Sequence, residues 1–173
     1  MSVVESVADH TYSTSSLALL LADLEAANGR RIDVERVLRL ALLHDLVESL
    51  TFDINKSYLE YLGKKGEAMK LDLERSAWNH IVKGIEPASI RKCYSPLASE
   101  FNAEKTLESQ IVHAADRLDI LFQIVCYVRR GYSKSILGDL WASTDRKLSQ
   151  TKLFAVRKLR RMALQLYKST NSR

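Results

Sequence analysis

A histidine and two carboxylates interrupt the most apolar stretch of the chain. His44, Asp45 and Glu48 lie in the run from residue 37 to 50, which otherwise reads as a buried helix. Ionised groups are seldom buried unless they are paired or bound to a metal ion. At about 100° per residue, His44 and Glu48 lie one above the other with Asp45 beside them, so all three can point into one cleft. We therefore expect a site for a divalent metal and a phosphate ester; the competing interpretation is a solvated polar face or a hydrogen-bonded core histidine.

Length and composition indicate an ordinary globular protein. A length of 173 residues is enough for one domain with a sizeable core and too short for two domains of usual size. The composition, 46% hydrophobic and 27% charged, is that of an ordinary globular protein. We expect one domain over residues 1–173, with its core in 5–130. No apolar run approaches the roughly 20 residues of a membrane span, and the first residues lack the regions of a secretory signal. These features predict a cytoplasmic protein without membrane contact.

The two cysteines do not indicate a disulfide or zinc-binding motif. Neither Cys93 nor Cys126 belongs to a CxxC pair, so a disulfide scaffold or a zinc knuckle is not indicated. Cys126 lies in the apolar run 124–128, which predicts that it is part of the core.

Periodicity predicts an all-α fold. No segment shows the sustained period-two alternation of a strand, and the chain has six glycines and two prolines. The N-cap residue Asp33 and the helix-ending pair Asn28-Gly29 are typical helix boundaries. We expect a helical bundle of about six or seven helices, over residues 10–28, 34–51, 67–82, 89–97, 103–130 and a basic last helix at about 143–167.

Further metal ligands must come from other helices. His10 stands near the start of the first helix, where a lone histidine is usually structural, and Asp116 in the longest helix is the additional ligand that the site needs. Asp119, one turn further, could hold a ligating histidine in place. The competing interpretation of Asp116 and Asp119 is a pair of helical salt bridges. His113 could face the same cleft, but no second signal supports it.

Two other polar residues have ordinary explanations. His80 has no acidic neighbours in its helix, so a structural role is expected. Asp53 follows Glu48 by five residues, in a loop where aspartate commonly caps or turns the chain.

Charge is distributed unevenly along the chain. All 21 acidic residues occur at or before Asp145, whereas nine of the 26 basic residues follow it, so residues 1–145 carry a net charge of −4 and residues 146–173 carry +9. A basic tail can attract nucleic acid. No aromatic platform or glycine-rich RNA motif accompanies the basic run 157–161. We therefore expect no nucleic-acid partner, and a basic face that is solvated or paired with acidic residues of the same or a neighbouring subunit.

At this point the sequence resembles a known family. His10, the pair His44-Asp45 and Asp116 resemble the H…HD…D signature of the HD-domain metal-dependent phosphohydrolases. The segments 5–10 and 44–54 are similar to those of the bacterial YfbR-type 5′-deoxynucleotidases and their eukaryotic HD-domain-containing relatives. The resemblance covers about residues 5–130. It implies an all-helical HD fold, a homodimer, and hydrolysis of deoxynucleoside 5′-monophosphates to nucleoside and phosphate.

The resemblance also implies roles for individual residues. It assigns one divalent metal ion to His10, His44, Asp45 and Asp116, and it makes Glu48 and Asp53 the acidic pair that does not bind the ion. Glu48 then positions or deprotonates water or, with Asp53, protonates the departing oxygen, and spacing does not decide between these roles. Asp53 could instead bind the sugar. Histidine and carboxylate ligands suit Mn, Fe, Co, Ni, Zn or Mg, so the ion is not identified.

The sequence departs from this family at two places. Relatives usually carry a helix with an Arg-Trp pair before the first histidine, whereas Met1 stands nine residues before His10. Either the chain starts late or another basic residue such as Lys56 replaces that pair. Phe52 occupies a position where the family commonly has glycine, and this difference can change the backbone conformation that orients the Asp53 side chain.

Two other functions remain open at the level of sequence. The run 115–118 also resembles the guanosine tetraphosphate hydrolases, which usually place a Glu-Asp pair after the HD helix, where this chain has Glu48-Ser49. Release of pyrophosphate would distinguish that activity. The second alternative is an HD protein that binds metal or nucleic acid without turnover, for which nucleic-acid binding should fall steeply with salt.

Overall fold

A computed structural model of the chain describes residues 5–51, 59 and 61–170. The described residues contain no strand, and the predicted all-α fold is confirmed. Three of the nine helices in this part of the chain are short, with four to seven residues. The helices are α1 Val7–Ala27, α2 Val34–Leu43, α3 Glu48–Thr51, α4 Lys64–Lys83, α5 Ala88–Tyr94, α6 Leu97–Ala103, α7 Leu107–Arg129, α8 Lys134–Ser149 and α9 Phe154–Ser169.

Helix α7 forms the centre of the bundle. It packs against α1, α2, α6, α8 and α9, and Ile111, Leu118 and Leu121 on its inner faces are fully buried. Helix α1 packs against α2 and α9 as well, which places its first turn beside the middle of α7. All of these helices except α3 contribute to, or pack against, one cluster of buried apolar side chains. None of these helices is long and apolar enough to span a membrane.

The predicted second helix is interrupted at the His-Asp pair. Helix α2 ends at Leu43, and residues 44–47 form a turn before α3 begins at Glu48. The Nδ1 atom of His44 lies 2.7 Å from the carbonyl oxygen of Ala41, which in a continuous helix would accept from the amide of Asp45. The Glu48 amide instead donates to the Asp45 carbonyl three residues earlier, in the tighter 3₁₀ pattern.

The expectation that this helix is buried on most sides is wrong. Leu42, Leu46 and Leu50 are exposed, at 56%, 36% and 51%. The prediction that Cys126 is part of the core is also wrong, because its position on α7 is exposed. Runs of apolar residues do not show by themselves which member faces away from the neighbouring helices.

The predicted helix over residues 143–167 is replaced by two helices. Helix α8 begins earlier, at Lys134, and ends at Ser149, and α9 begins at Phe154. The amide of Ala155 in the first turn of α9 donates to Oε1 of Glu25 on α1 at 2.6 Å. This contact joins residues 130 positions apart, so the local sequence pattern does not contain it.

Candidate metal centre

Three separate elements bring four predicted ligands together. The first turn of α1 carries His10, the turn between α2 and α3 carries His44 and Asp45, and the middle of α7 carries Asp116. A capping box starts α1, in which the hydroxyl of Ser6 accepts from the amide of Asp9. The packing of α1 and α2 on α7 then brings these side chains close to His10.

The donor atoms of these four side chains are close to one another. Nε2 of His10 lies 3.4 Å from Oδ2 of Asp45, from Oδ1 of Asp116 and from Nε2 of His44. Nε2 of His44 lies 3.2 Å from Oδ2 of Asp45. Two ligand atoms that are each about 2.0–2.2 Å from one ion, at angles of about 90–110°, are about 2.8–3.6 Å apart. His10, His44 and Asp116 each offer one atom within 4.8 Å of the other two, and Asp45 Oδ2 approaches both imidazole nitrogens, so this set of nitrogen and oxygen donors suits a divalent ion.

Both imidazoles are held by the nitrogen that faces away from the cluster. Nδ1 of His10 lies 2.7 Å from Oδ2 of Asp119, and Nδ1 of His44 lies 2.7 Å from the Ala41 carbonyl oxygen. A carboxylate or carbonyl acceptor keeps a proton on Nδ1, so Nε2 is the atom of each ring that would bind an ion. The contact between Asp119 and a histidine, expected from the spacing in α7, is therefore present. The side chain of His44 is only 1% exposed.

The carboxylates dominate the electrostatics of the cluster. Hydrogen bonding to Asp116 and then to Asp119 raises the pKa of His10 to about 10 in the absence of an ion, although burial opposes this rise. Burial lowers the pKa of His44, but the adjacent Asp45 carboxylate outweighs it and the pKa is raised. Burial raises the pKa of Asp116, and its contact with His10 outweighs this, so the pKa is lowered. The two raised histidine pKa values indicate that the carboxylates favour a positive charge here, and the lowered pKa of Asp116 indicates that its carboxylate stays ionised beside the imidazoles.

The remaining predicted residues are placed differently. Glu48 is the first residue of α3 and is half-buried. Together with His44, it lines a cavity of about 590 Å³. His113 lies away from the cluster, with Nε2 2.8 Å from the Phe101 carbonyl oxygen and its ring stacked on that of Phe101. His80 is exposed, as expected for a residue outside the site. Phe52, Asp53 and Lys56 lie outside the described residues.

Sequence reasoning did not identify two parts of the site. One is Glu5, whose carboxylate lies near the His10 ring and the carboxylate of Asp119; burial, and then the charge of Asp119, raise its pKa. Glu5 precedes the N-cap of α1, so no helical spacing relates it to His10. The other part is the cavity beside Glu48, which is lined by residues of α4 and α6. Their apolar patterns are those of ordinary amphipathic helices.

Comparison with known proteins agrees with the fold. Residues 2–153 match the HD domain family model, and the chain belongs to this family. Among similar proteins, the 5′-deoxynucleotidase HDDC2 of Danio rerio is 28% identical over 154 residues, covering 89% of this chain and 71% of that protein. The 5′-deoxynucleotidase hdd1 of Schizosaccharomyces pombe is 28% identical over 142 residues, covering 80% and 66%.

Solved structures share the architecture. The PH0347 protein from Pyrococcus horikoshii OT3 has a TM-score of 0.75 and 26% identity, covering 95% of this chain and 86% of that one. An HD-domain phosphohydrolase from Listeria innocua has a TM-score of 0.72 and covers 95% and 74%. At 22% identity, it supports the fold alone.

Proposed function

We propose that this protein is a metal-dependent phosphohydrolase that converts deoxynucleoside 5′-monophosphates to deoxynucleosides and phosphate. The observation that carries the proposal is that His10 Nε2 lies 3.4 Å from donor atoms of His44, Asp45 and Asp116, which come from separate elements of the fold. The substrate class is supported by the names of the similar 5′-deoxynucleotidases. The family match supports hydrolysis by a site of this type.

The four residues would hold the ion in two ways. His10 and His44 supply neutral nitrogen ligands, because Asp119 and the Ala41 carbonyl fix the proton on Nδ1. Asp45 and Asp116 supply two negative charges that balance a divalent cation. When bound, such an ion supplies Lewis-acid polarisation of a phosphoryl oxygen and lowers the pKa of water.

Glu48 and Asp53 form the acid–base pair of the proposed mechanism. Water attacks phosphorus, the bond from phosphorus to the sugar 5′-oxygen breaks, and that oxygen takes up a proton. Glu48 borders His44 and the adjoining cavity, so we assign it the proton of the attacking water. The assignment of the leaving-group proton to Asp53 rests on the resemblance to the 5′-deoxynucleotidases.

Replacement of Glu48 is expected to separate metal binding from turnover. Glu48→Gln removes the proton acceptor but none of the proposed ligands, so we expect wild-type metal content and a fall in phosphate release by a factor of about 10²–10⁴. Metal analysis of the purified variant and steady-state release of phosphate from dAMP measure the two quantities. Glu35→Gln is the matched control, because Glu35 is an exposed residue of α2 paired with Arg39. Wild-type turnover in Glu48→Gln would remove Glu48 from the mechanism.

Replacement of Asp119 is expected to lower the affinity for the metal ion without removing a proposed ligand. Asp119→Asn lowers the basicity of His10 and loosens its orientation, and loss of such a partner typically costs 10–100-fold in metal affinity. Competitive titration with a fluorescent chelator measures the affinity. Asp139→Asn, at an exposed position on α8, is the control. Equal affinities in the two variants would show that His10 needs no support from Asp119.

A substrate panel tests the proposed function. Metal-stripped protein is given Mn, Co, Ni, Zn or Mg singly, and phosphate release is measured from deoxyribo- and ribonucleoside 5′-monophosphates and from guanosine tetraphosphate. We expect metal-dependent release of phosphate, with preference for the deoxy substrates. Pyrophosphate from guanosine tetraphosphate would favour the other class of HD hydrolase. Metal binding without release from any substrate would contradict the proposal.

The proposal extends to assembly and location. We propose one domain over residues 1–173, supported by the shared core, and a homodimer, supported by the exposed Leu42, Leu46 and Leu50. Free thiols at Cys93 and Cys126 support a cytoplasmic location. Light scattering during size-exclusion chromatography gives the mass in solution, and a single-chain mass would contradict the dimer.

A further inference from the structure

The residue that precedes the N-cap of α1 is attached to the face of α7 that carries Asp119. The Glu5 amide donates to the Tyr127 hydroxyl at 3.4 Å, and the Gln123 side chain hydrogen-bonds to the Glu5 carboxylate. Asp119, Gln123 and Tyr127 are spaced four residues apart on α7, so they lie along one face of that helix. Glu5 is therefore held by both its backbone and its side chain, next to the residue that supports His10.

The Glu5 carboxylate lies beside the His10–Asp119 pair. One of its oxygens, a ring nitrogen of His10 and a carboxylate oxygen of Asp119 are all within 4.8 Å of one another. Asp119 accepts from Nδ1 of His10 at 2.7 Å and is 6% exposed, so this pair is shielded from water. Two carboxylates outside the proposed ligand set therefore accompany the imidazole of His10.

A negative charge at Glu5 is unfavourable in the absence of an ion. Partial burial and the like charge of Asp119 disfavour an ionised carboxylate at this position. The hydrogen bond from Gln123 and the charge of His10 offset only part of this cost. A cation at the neighbouring ligand cluster would attract both carboxylates. A charge that the fold disfavours by itself is therefore stabilised when an ion binds, and it increases the affinity for that ion to the same extent.

We propose that Glu5 is a positioning residue of the metal centre, which packs against the His10–Asp119 pair and adds a negative charge that strengthens metal binding. This inference rests on the proposed function, because it takes the ion to be held through Nε2 of His10. Glu5 groups with His10 and Asp119 and not with His44 and Asp116, so we expect it to act through His10 and not as a further ligand.

Three substitutions on the N-terminal side of the protein test this role. Glu5→Gln removes the charge but keeps the size of the side chain and an acceptor for Gln123. Glu5→Asp keeps the charge. Asp23→Asn removes a charge from an exposed position further along α1 and is the matched control. The affinity of metal-stripped protein for Mn²⁺ is measured for each by competition with a fluorescent chelator at one ionic strength.

The effect of Glu5→Gln should be smaller than that of losing a direct partner of a ligating histidine, which costs 10–100-fold. We expect Mn²⁺ to bind about three- to tenfold more weakly to Glu5→Gln, because only a charge beside the His10–Asp119 pair is lost. Glu5→Asp and Asp23→Asn should both stay within about twofold of the wild type. At saturating Mn²⁺, kcat of Glu5→Gln should change less than its metal affinity.

Thermal unfolding distinguishes attraction for the ion from a purely structural contact. Without Mn²⁺, Glu5→Gln should not lower Tm, because it relieves the repulsion between Glu5 and Asp119. With saturating Mn²⁺ present at the same concentration, Glu5→Gln should gain less in Tm than the wild type does. A structural contact alone would instead lower Tm by equal amounts with and without the ion, and that result would overturn the inference.

The outcomes separate this inference from the proposed function. Equal Mn²⁺ affinities in Glu5→Gln and Asp23→Asn would overturn the role of Glu5 and leave the proposed function intact. Binding of one ion by the wild type without phosphate release from any nucleoside monophosphate would contradict the proposed function alone, because the effect of Glu5 is measured on binding.

Discussion

Asp45→Asn is expected to abolish metal binding and phosphate release together. Oδ2 of Asp45 lies 3.4 Å from His10 Nε2 and 3.2 Å from His44 Nε2, so it is shared by both imidazoles of the cluster. The asparagine amide supplies no negative charge to a divalent ion. Because the ion is proposed to contribute several kcal/mol to the reaction, we expect phosphate release to fall by at least about 10³-fold. Metal analysis and dAMP hydrolysis at saturating substrate measure both losses.

Two further variants make this result specific. Asp116→Asn removes a carboxylate from a separate element, α7. It should also abolish both metal binding and phosphate release, because Asp116 Oδ1, like Asp45 Oδ2, lies 3.4 Å from His10 Nε2. Asp139→Asn, an exposed aspartate of α8, should leave both quantities at the wild-type level. If Asp45→Asn kept one ion per chain and turned over normally, the proposed ligand set would be incorrect.

Glu25→Ala is expected to produce a large loss of stability. The Glu25 side chain is fully buried on α1, and its Oε1 atom accepts from the Ala155 amide at the start of α9. Its Oε2 atom lies 2.9 Å from Nε of Arg30, an ion pair outside hydrogen-bond geometry. Alanine leaves the Ala155 amide without an acceptor and removes a negative charge from a helix N-terminus, so we expect a loss of about 3 kcal/mol.

Thermal unfolding measures this effect. For a chain of this length, each kcal/mol shifts Tm by roughly 2–4 °C, so Glu25→Ala should lower it by about 6–12 °C. Glu25→Gln retains an acceptor for the Ala155 amide and should lose less. Glu35→Ala, which breaks an exposed pair with Arg39, should change Tm little. A decrease for Glu25→Ala no larger than that for Glu35→Ala would show that this buried contact is not needed to join α1 and α9.

The proximity of these polar side chains was predictable because most of them conflict with their surroundings in the sequence. His44 and Asp45 are costly in an apolar run, and Asp116 and Asp119 are one helical turn apart, which places one near the cluster and the other behind His10. His10 gave no such signal by itself. It became a candidate through the order of the four ligands along the chain.

The features that were mispredicted depend on contacts between distant residues or on one side-chain bond. The break after Leu43 follows from the bond of His44 Nδ1 to the Ala41 carbonyl, and the break between α8 and α9 coincides with the contact of Glu25 and Ala155. Helical periodicity describes an isolated helix and contains neither interaction. The cavity beside Glu48 was missed for the same reason, since it exists only where α2, α4 and α6 meet.

The most direct test of the central claim is a titration of metal-stripped protein with Mn²⁺ while phosphate release from dAMP is followed. One ion held by His10, His44, Asp45 and Asp116 predicts no release before addition, a linear rise, and a plateau at one equivalent per chain. Asp45→Asn should show neither the rise nor the plateau. Full activity without metal, or an equal response in Asp45→Asn, would contradict a mechanism that depends on this cluster.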